Sequence, residues 1–374
     1  VTPKLIRRRE RRGLRLWNVG LVLALAFAAA LVVAAAVFFA GWDLLGARGL
    51  RTQRRLDSKT LFDLVKLSFG VVAGAGALVA LVVAYRRQRV DEEGALREAT
   101  RLHTERFTAA VTQLGSESAA VRLGGVHALA GLADDAPTAL LRQTCIDVLC
   151  AYLRLPYTAK ADLPPDDTDA MHAYLALREV RHTIIRLIRD RTAVGPQKTH
   201  ISWQGHDFDF TGVVFDGGDF SDAQFTGGTV SFDEAEFSAG MVKFTGAHFS
   251  GARVSFNGAR FSDGYVSFYD AHFSGGTVSF TRAVFAGAGV LFAQAQLSGA
   301  TVYFNDAQFS GGRINFLGAQ FSGAEVHFAH AQFSGGRVDL TMATGSAPIG
   351  LVPPPGEPLP PGLMLPDAWL PTAS

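Results

Sequence analysis

Eight carboxylates crowd one short stretch of this chain: Asp207, Asp209, Asp216, Asp219, Asp222, Asp233, Glu234 and Glu236. Acid at that density presents a negative surface, and Asp216, Asp219, Asp222, Asp233, Glu234 and Glu236 form the candidate partner-binding face. Arg178, Arg181, Arg186, Arg189 and Arg191 make the one local basic cluster, read as a solvated helix face, with contact to anionic lipid or nucleic acid as the rival. Other side chains that could do chemistry lack companions. His127 and His182 have no His or Glu partner at i, i+4, as a metalloprotease helix needs. His327 and His330 have neither a Cys nor a third His beside them to complete a metal site. Cys145 and Cys150, the only cysteines, are five apart in a helix-like segment, which suits small buried apolar residues better than a disulfide or a zinc site. No catalytic, metal-binding or cofactor-binding residue is expected.

The elements that carry these residues differ sharply along the chain. Of 374 residues, 1 to 66 hold thirteen Lys/Arg against four Asp/Glu, while 201 to 343 hold six against thirteen. A basic head and an acidic trunk point to a membrane surface at one end. Residues 1–16 form the head. Val19 to Phe39 runs without a charge, so 17–42 is expected to span a bilayer core of about 30 Å. A cleaved signal peptide is the competing reading, but the apolar run exceeds the usual h-region of about 7–15 residues and ends without a persuasive cleavage site. A loop, 43–60, leads to a second span over 61–85, closed by Arg86, Arg87 and Arg89. Ten basic residues outside the pair of helices, against five in the loop, place both termini in the cytoplasm. Gly70 and Gly74 form a small-xxx-small pair that would let helices approach closely, within the chain or in a homodimer.

Residues 86–200 read as short amphipathic helices. Leu96, Phe107, Val111 and Leu114 make one apolar stripe; Ser118 can cap a second helix, Leu141 to Tyr152 mark a third, and Val180, Ile184 and Leu187 a fourth. Helical pairs joined by tight turns suggest a small all-α, HEAT-like domain.

Rings then recur on a count that neither a helix nor an ordinary strand explains. Phe210, Phe215, Phe220 and Phe225 are five apart; from Phe225 to Phe333 the spacing alternates seven and five, with Leu297 as the single substitute. The unit FSGGxVxFxxAx therefore spans twelve residues and repeats ten times, from Phe225 to Thr344. Val or Ile precedes one ring by two residues, and Ala precedes the other. Residues two apart on extended chain point the same way, so each VxF or AxF is a very short strand facing inward, with Ser, Gly, Asn and Asp at the corners. No unit could bury its rings alone, so neighbours must stack as a solenoid.

The segments AQFSG, AHFSG and GDFSD resemble the unit of the pentapeptide-repeat family, and GGTVSF and GGRVDL resemble it with two residues inserted before the second ring. The resemblance covers roughly 206 to 343, where twenty-two of the 28 phenylalanines lie, and it implies a right-handed parallel β-helix over 201–343. The stretch RLHTERFTAAVTQLGSESAAVRLGGVHALAGLADD looks like the helical region of membrane-anchored members from high-GC Gram-positive bacteria, which implies the plasma membrane with the solenoid in the cytoplasm. Alternation of five and seven departs from the plain family, and a four-sided coil would hold 24 residues instead of 20.

A fold does not fix a function. The expected role is a membrane-tethered, non-catalytic scaffold that binds an unknown protein along its side. The alternative, drawn from gyrase-protecting pentapeptide proteins, is an acidic rod imitating duplex DNA and acting on gyrase or another DNA-binding protein; beyond Glu236 the acids thin to five, too sparse for a long duplex mimic, and no nucleic-acid partner is expected. Outward positions rich in Ser, Thr, Gly and Gln speak against an enzyme. Gln296, Gln308, Gln320 and Gln332 share one position of the unit and suggest an amide ladder. The tail, 344–374, carries nine of 15 prolines; Leu363, Leu365 and Trp369 suit either a cap over the last coil or a proline-rich partner motif.

Overall fold

The computed structural model describes residues 58–370 apart from 194, 196–199 and 355–356, with a few isolated positions between 28 and 43. The expected head and nearly all of the first span, 17–42, lie outside the described residues, as does most of the loop 43–60. Two compact units divide at Glu98 and Ala99.

Helix α1, Ser58–Leu114, is continuous over 57 residues, about 85 Å at about 1.5 Å per residue. The expected second span and the first amphipathic helix are therefore one element, with no break at 85. From Val65 it is long and apolar enough to cross a membrane. Gly70 and Gly74 have nothing within 4 Å of where a Cβ would stand, among the described residues.

In the second unit, the end of α1 packs with α2 (Ala119–Asp134), α3 (Ala139–Leu153) and α4 (Thr168–Thr192). Val126, Leu129, Ile146, Leu149, Ile184 and Ile188 are fully buried, as their helical spacing predicts. A Cβ on Gly125 would meet the backbone nitrogen of Leu114 at 2.6 Å, so glycine is what lets α2 lie against α1. Ser118 occupies the N-cap of α2 without a side-chain bond. Thr138 and Asp167 do cap α3 and α4, accepting from Leu141 and Ala170.

The trunk is a parallel β-solenoid, and its registers give the coil. Val266 pairs with Val242 below and Val290 above, a step of 24 residues, and four short strands complete each circuit. Side one carries Val230, Val254, Val278, Val302 and Val326; side two Phe237, Phe261, Phe285 and Phe309; side three Val242, Val266, Val290, Ile314 and Val338; side four Phe249, Phe273, Leu297 and Phe321. Sides one and four merge into one sheet because two longer strands, His248–Ser255 and His272–Ser279, turn the corner between them. The first coil steps by only 22, Phe208 to Val230, which is the local meaning of its unbroken five-residue spacing.

Identical rings sit above one another. Phe232, Phe256, Phe280, Phe304 and Phe328 stack with centroids 4.6 to 4.9 Å apart and planes within 12°. Equivalent columns run from Phe220 to Phe316 and from Phe215 to Phe333, while Leu297 interrupts the fourth. That separation is the strand spacing of a β-sheet, so ring stacking and the backbone ladder share one repeat. Between each Phe and the following Ala, a turn closes with the Ala N–H on the Phe carbonyl and positive φ at its third residue. Glu234, Asp270 and Arg282 take this conformation, φ 52 to 59°, as readily as Gly246 and Gly258 do at equivalent positions.

The tail continues the column irregularly. Leu363–Met364 pairs with Val338–Asp339, and Leu351, Leu363 and Leu365 are buried. Trp369 meets Phe321 edge-on at 5.5 Å and donates its indole N–H to Gly345 at 2.8 Å. The 24-residue circuit also explains why the glutamines form no single ladder. Gln296 and Gln320 lie on side four, Gln308 and Gln332 on side two, and among the described residues no amide–amide bond joins them.

Candidate functional site

The first coil presents an uncovered ring of backbone and aromatic groups, and α3 and α4 cover it. Trp203 is fully buried there, donating to Asp134 at 2.9 Å; Arg191 grips the same carboxylate with Nε and Nη2 and lies over the indole. Arg142 donates to the carbonyls of Ala133, Asp134, His200 and Ser202. Arg154 pairs with Asp209, and Gln143 exchanges bonds with the backbone of Asp207.

Asp216 is the centre of this junction. It sits at the corner between sides two and three, with its side chain 3% exposed. Tyr157 and Tyr174 each donate a hydroxyl to Oδ2 at 2.6 Å, Arg178 donates Nε to the same oxygen at 3.2 Å, and His182 Nε2 meets Oδ1 at 3.1 Å. Burial pushes the carboxyl pKa up, but the bonds from His182, Tyr157 and Tyr174 and the charge of His182 outweigh it and hold the group well below the ordinary range. The same pairing, with burial first, drives the Tyr157 hydroxyl far above its usual value. Arg181, itself buried and lowered by desolvation, donates to the carbonyls of Leu153 and Val214 and lies 4.1 Å over the Tyr157 ring. Gly217 and Gly218, φ 130 and 150°, follow at once, and a Cβ on Gly218 would meet Ile185 at 3.1 Å. Only glycine permits both that backbone and that approach of α4.

The six acids of the candidate face are not brought together. Asp216 faces α4 from within, and Asp219 pairs with Arg189 at 3.0 Å. Asp222 and Glu234 stand on exposed corners with positive φ. Asp233 accepts from Asn257 N–H and Ser255 Oγ in a ladder that continues through Ser279 and Thr281. Glu236 lies on side two opposite Arg260. Two arginines of the basic cluster and two of the acids are thus each other's partners: Arg178 and Arg189, with His182 beside them, answer Asp216 and Asp219. Tyr157, Tyr174, Asp134 and Trp203 belong to this junction without any signal of spacing. A lone tryptophan just ahead of the first phenylalanine was the nearest thing to one.

Elsewhere, Cys145 and Cys150 are buried, and burial raises their thiols to about 11 and about 12. His127 is exposed. His327 stacks on Tyr303 and sits 3.8 Å from Glu325, and among the described residues no group of three ligands could hold a metal ion. No family model matches this chain, and neither does any curated protein or solved structure.

Proposed function

We propose that the protein is a membrane-tethered, non-catalytic rod of pentapeptide-repeat type whose third side binds a protein partner. One observation carries this reading. Among the described residues of the solenoid and tail, six large apolar side chains are exposed, and five of them, Met241 (46%), Tyr265 (56%), Tyr269 (47%), Leu317 (48%) and Met342 (62%), lie on side three or the corner after it. Met241 and Tyr265 are neighbours across coils, and Tyr269, Ala293 and Leu317 stand in one column, each carbonyl receiving an N–H from the coil below. An apolar stripe confined to one side, beside sides of Ser, Thr, Gln and Arg, has the composition of an interaction surface. Arg313 and Arg337, at its far end, favour a partner with acidic groups beside its apolar ones.

Duplex mimicry finds less support, because Asp216 and Asp219 are engaged by α4 and the remaining acids point in different directions. The charge distribution supports a plasma-membrane anchor with both termini and the solenoid cytoplasmic. Capture of partners from a detergent extract by the full chain, compared with a Tyr265→Ser/Leu317→Ser variant, tests the reading. The expected result is a partner lost with the variant and unchanged DNA supercoiling by gyrase at low and high salt. Salt-sensitive inhibition of supercoiling, with the same proteins captured by both chains, would replace the scaffold with the mimic. Maleimide labelling of Ser58→Cys and Ser374→Cys in intact cells tests orientation: label on the second from outside refutes it.

A further inference from the structure

A cleft of about 490 Å³ opens between α4 and the first two coils, lined in part by Asp216 and its partners Arg178 and His182. Its floor is Gly217, where a Cβ would stand 3.3 Å from His182 and 3.8 Å from Nη2 of Arg178. Its walls bring cations from two directions. Arg178 pairs with Asp216 through Nε, and its two Nη groups have no hydrogen-bond acceptor among the described residues. Arg186 is half exposed, with Asp190 no nearer than 3.9 Å. Lys243, exposed on the strand of the second coil, stands in register with Asp219, yet no hydrogen-bond acceptor or ion-pair partner meets its ammonium among the described residues. The acids at this place are already answered: Asp216 has four donors and Asp219 has Arg189. Exposed Glu179 is the remaining lining carboxylate without an ion pair among the described residues. What the cleft offers a ligand is therefore a set of N–H groups, on Arg178, Arg186 and Lys243, without a hydrogen-bond acceptor among the described residues, around a floor without side chains.

We propose that this cleft is a binding site for a phosphoryl anion, with Arg178, Arg186 and Lys243 as its ligands. Guanidinium forks match the oxygens of a tetrahedral oxyanion two at a time, and an ammonium adds a point charge from the opposite wall. The volume exceeds that of phosphate alone, so the natural ligand is a phosphomonoester or a phospholipid headgroup. Neither Arg186 nor Lys243 holds the helices to the solenoid, so their removal leaves the junction intact.

The test is a titration of the full chain in detergent with inorganic phosphate at constant ionic strength, read by calorimetry, against Arg186→Gln/Lys243→Gln. Saturable binding of phosphate by the native chain, weakened at least about tenfold in the variant with unchanged circular dichroism, is the expected result. Binding that is non-saturable, or equal in both proteins, overturns the proposal. Repeating the titration in nanodiscs separates the two sources. A headgroup ligand makes the apparent phosphate affinity fall when phosphatidylcholine is replaced by a phosphatidylcholine/phosphatidylglycerol mixture, whereas a soluble phosphomonoester site gives the same curve in both.

Discussion

Replacing Phe280 with Asp probes the ring columns at their middle. Phe280 is fully buried, stacked on Phe256 at 4.7 Å and under Phe304 at 4.9 Å, with Phe268 and Phe292 edge-on at 5.9 Å. Truncation alone costs about 3–5 kcal/mol. A carboxylate with no donor among four rings adds a desolvation penalty of at least about 2 kcal/mol, or takes up a proton to avoid it. The sum is comparable with a whole domain's net stability of about 5–15 kcal/mol. Because each coil touches only its neighbours, the damage concentrates in the coils of Phe256, Phe280 and Phe304. Thr281→Asp is the control one residue away. Its corner is the one that Asp233 and Asn257 occupy in the coils below, where Asp233 accepts from the next coil's backbone. That change should alter stability by no more than about 0.5 kcal/mol. Hydrogen exchange of the full chain should show peptides around 256–304 unprotected in Phe280→Asp and native in Thr281→Asp. Equal protection in the two variants would refute the stacked-column account, and Phe280→Leu should fall between them, since Leu297 already fills the equivalent place in the fourth column.

Three further outcomes follow from the junction, the thiols and the cap. Asp216 is held below its unfolded pKa, so the unfolded chain takes up the proton first; its contribution is complete above about pH 4 and is lost as pH falls toward the folded pKa. Asp216→Asn should therefore lower stability at neutral pH by about 3–5 kcal/mol and flatten the acid limb of a stability–pH curve, and an unchanged acid limb would remove Asp216 from its central place. Cys145 and Cys150, buried with raised thiol pKa values, should resist maleimide at pH 7 until denaturant is added; rapid native labelling would contradict their burial. Trp369→Ala removes an edge-on ring contact and one hydrogen bond, together about 1–3 kcal/mol, and should speed exchange in the last coil while leaving the first coils protected.

Much of the trunk was legible in one dimension because its contacts repeat. A residue in the column of Phe280 has its partners 24 positions away in either direction, so spacing alone identified the inward rings, the corners and the stacking. The same arithmetic placed Gln296 and Gln308 on different sides once the circuit was known to contain two units rather than one. The junction has no such periodicity. Arg178 and Asp216 stand 38 residues apart, Arg191 and Asp134 57 apart, and nothing in their spacing joins them. Read along the chain, five arginines were a solvated face and six acids a partner-binding face; in three dimensions Arg178 and Arg189 pair with Asp216 and Asp219.

That division has a physical cause. The sequence by itself determined which side chains point inward, because burial of an apolar ring in a short strand depends on local geometry and on an identical neighbour one coil away. Only the tertiary structure decided which charges remain free, since an ion pair depends on where separate elements come to rest. The end of a solenoid exposes groups that the repeat cannot satisfy from within. At one end α3 and α4 supply the missing partners, and at the other the proline-rich tail does, with Trp369 over Phe321 and Leu363 beside Val338. What is left exposed after that closure, the apolar residues along side three and the cleft beside Asp216, could be known only once the column and its covers were in place.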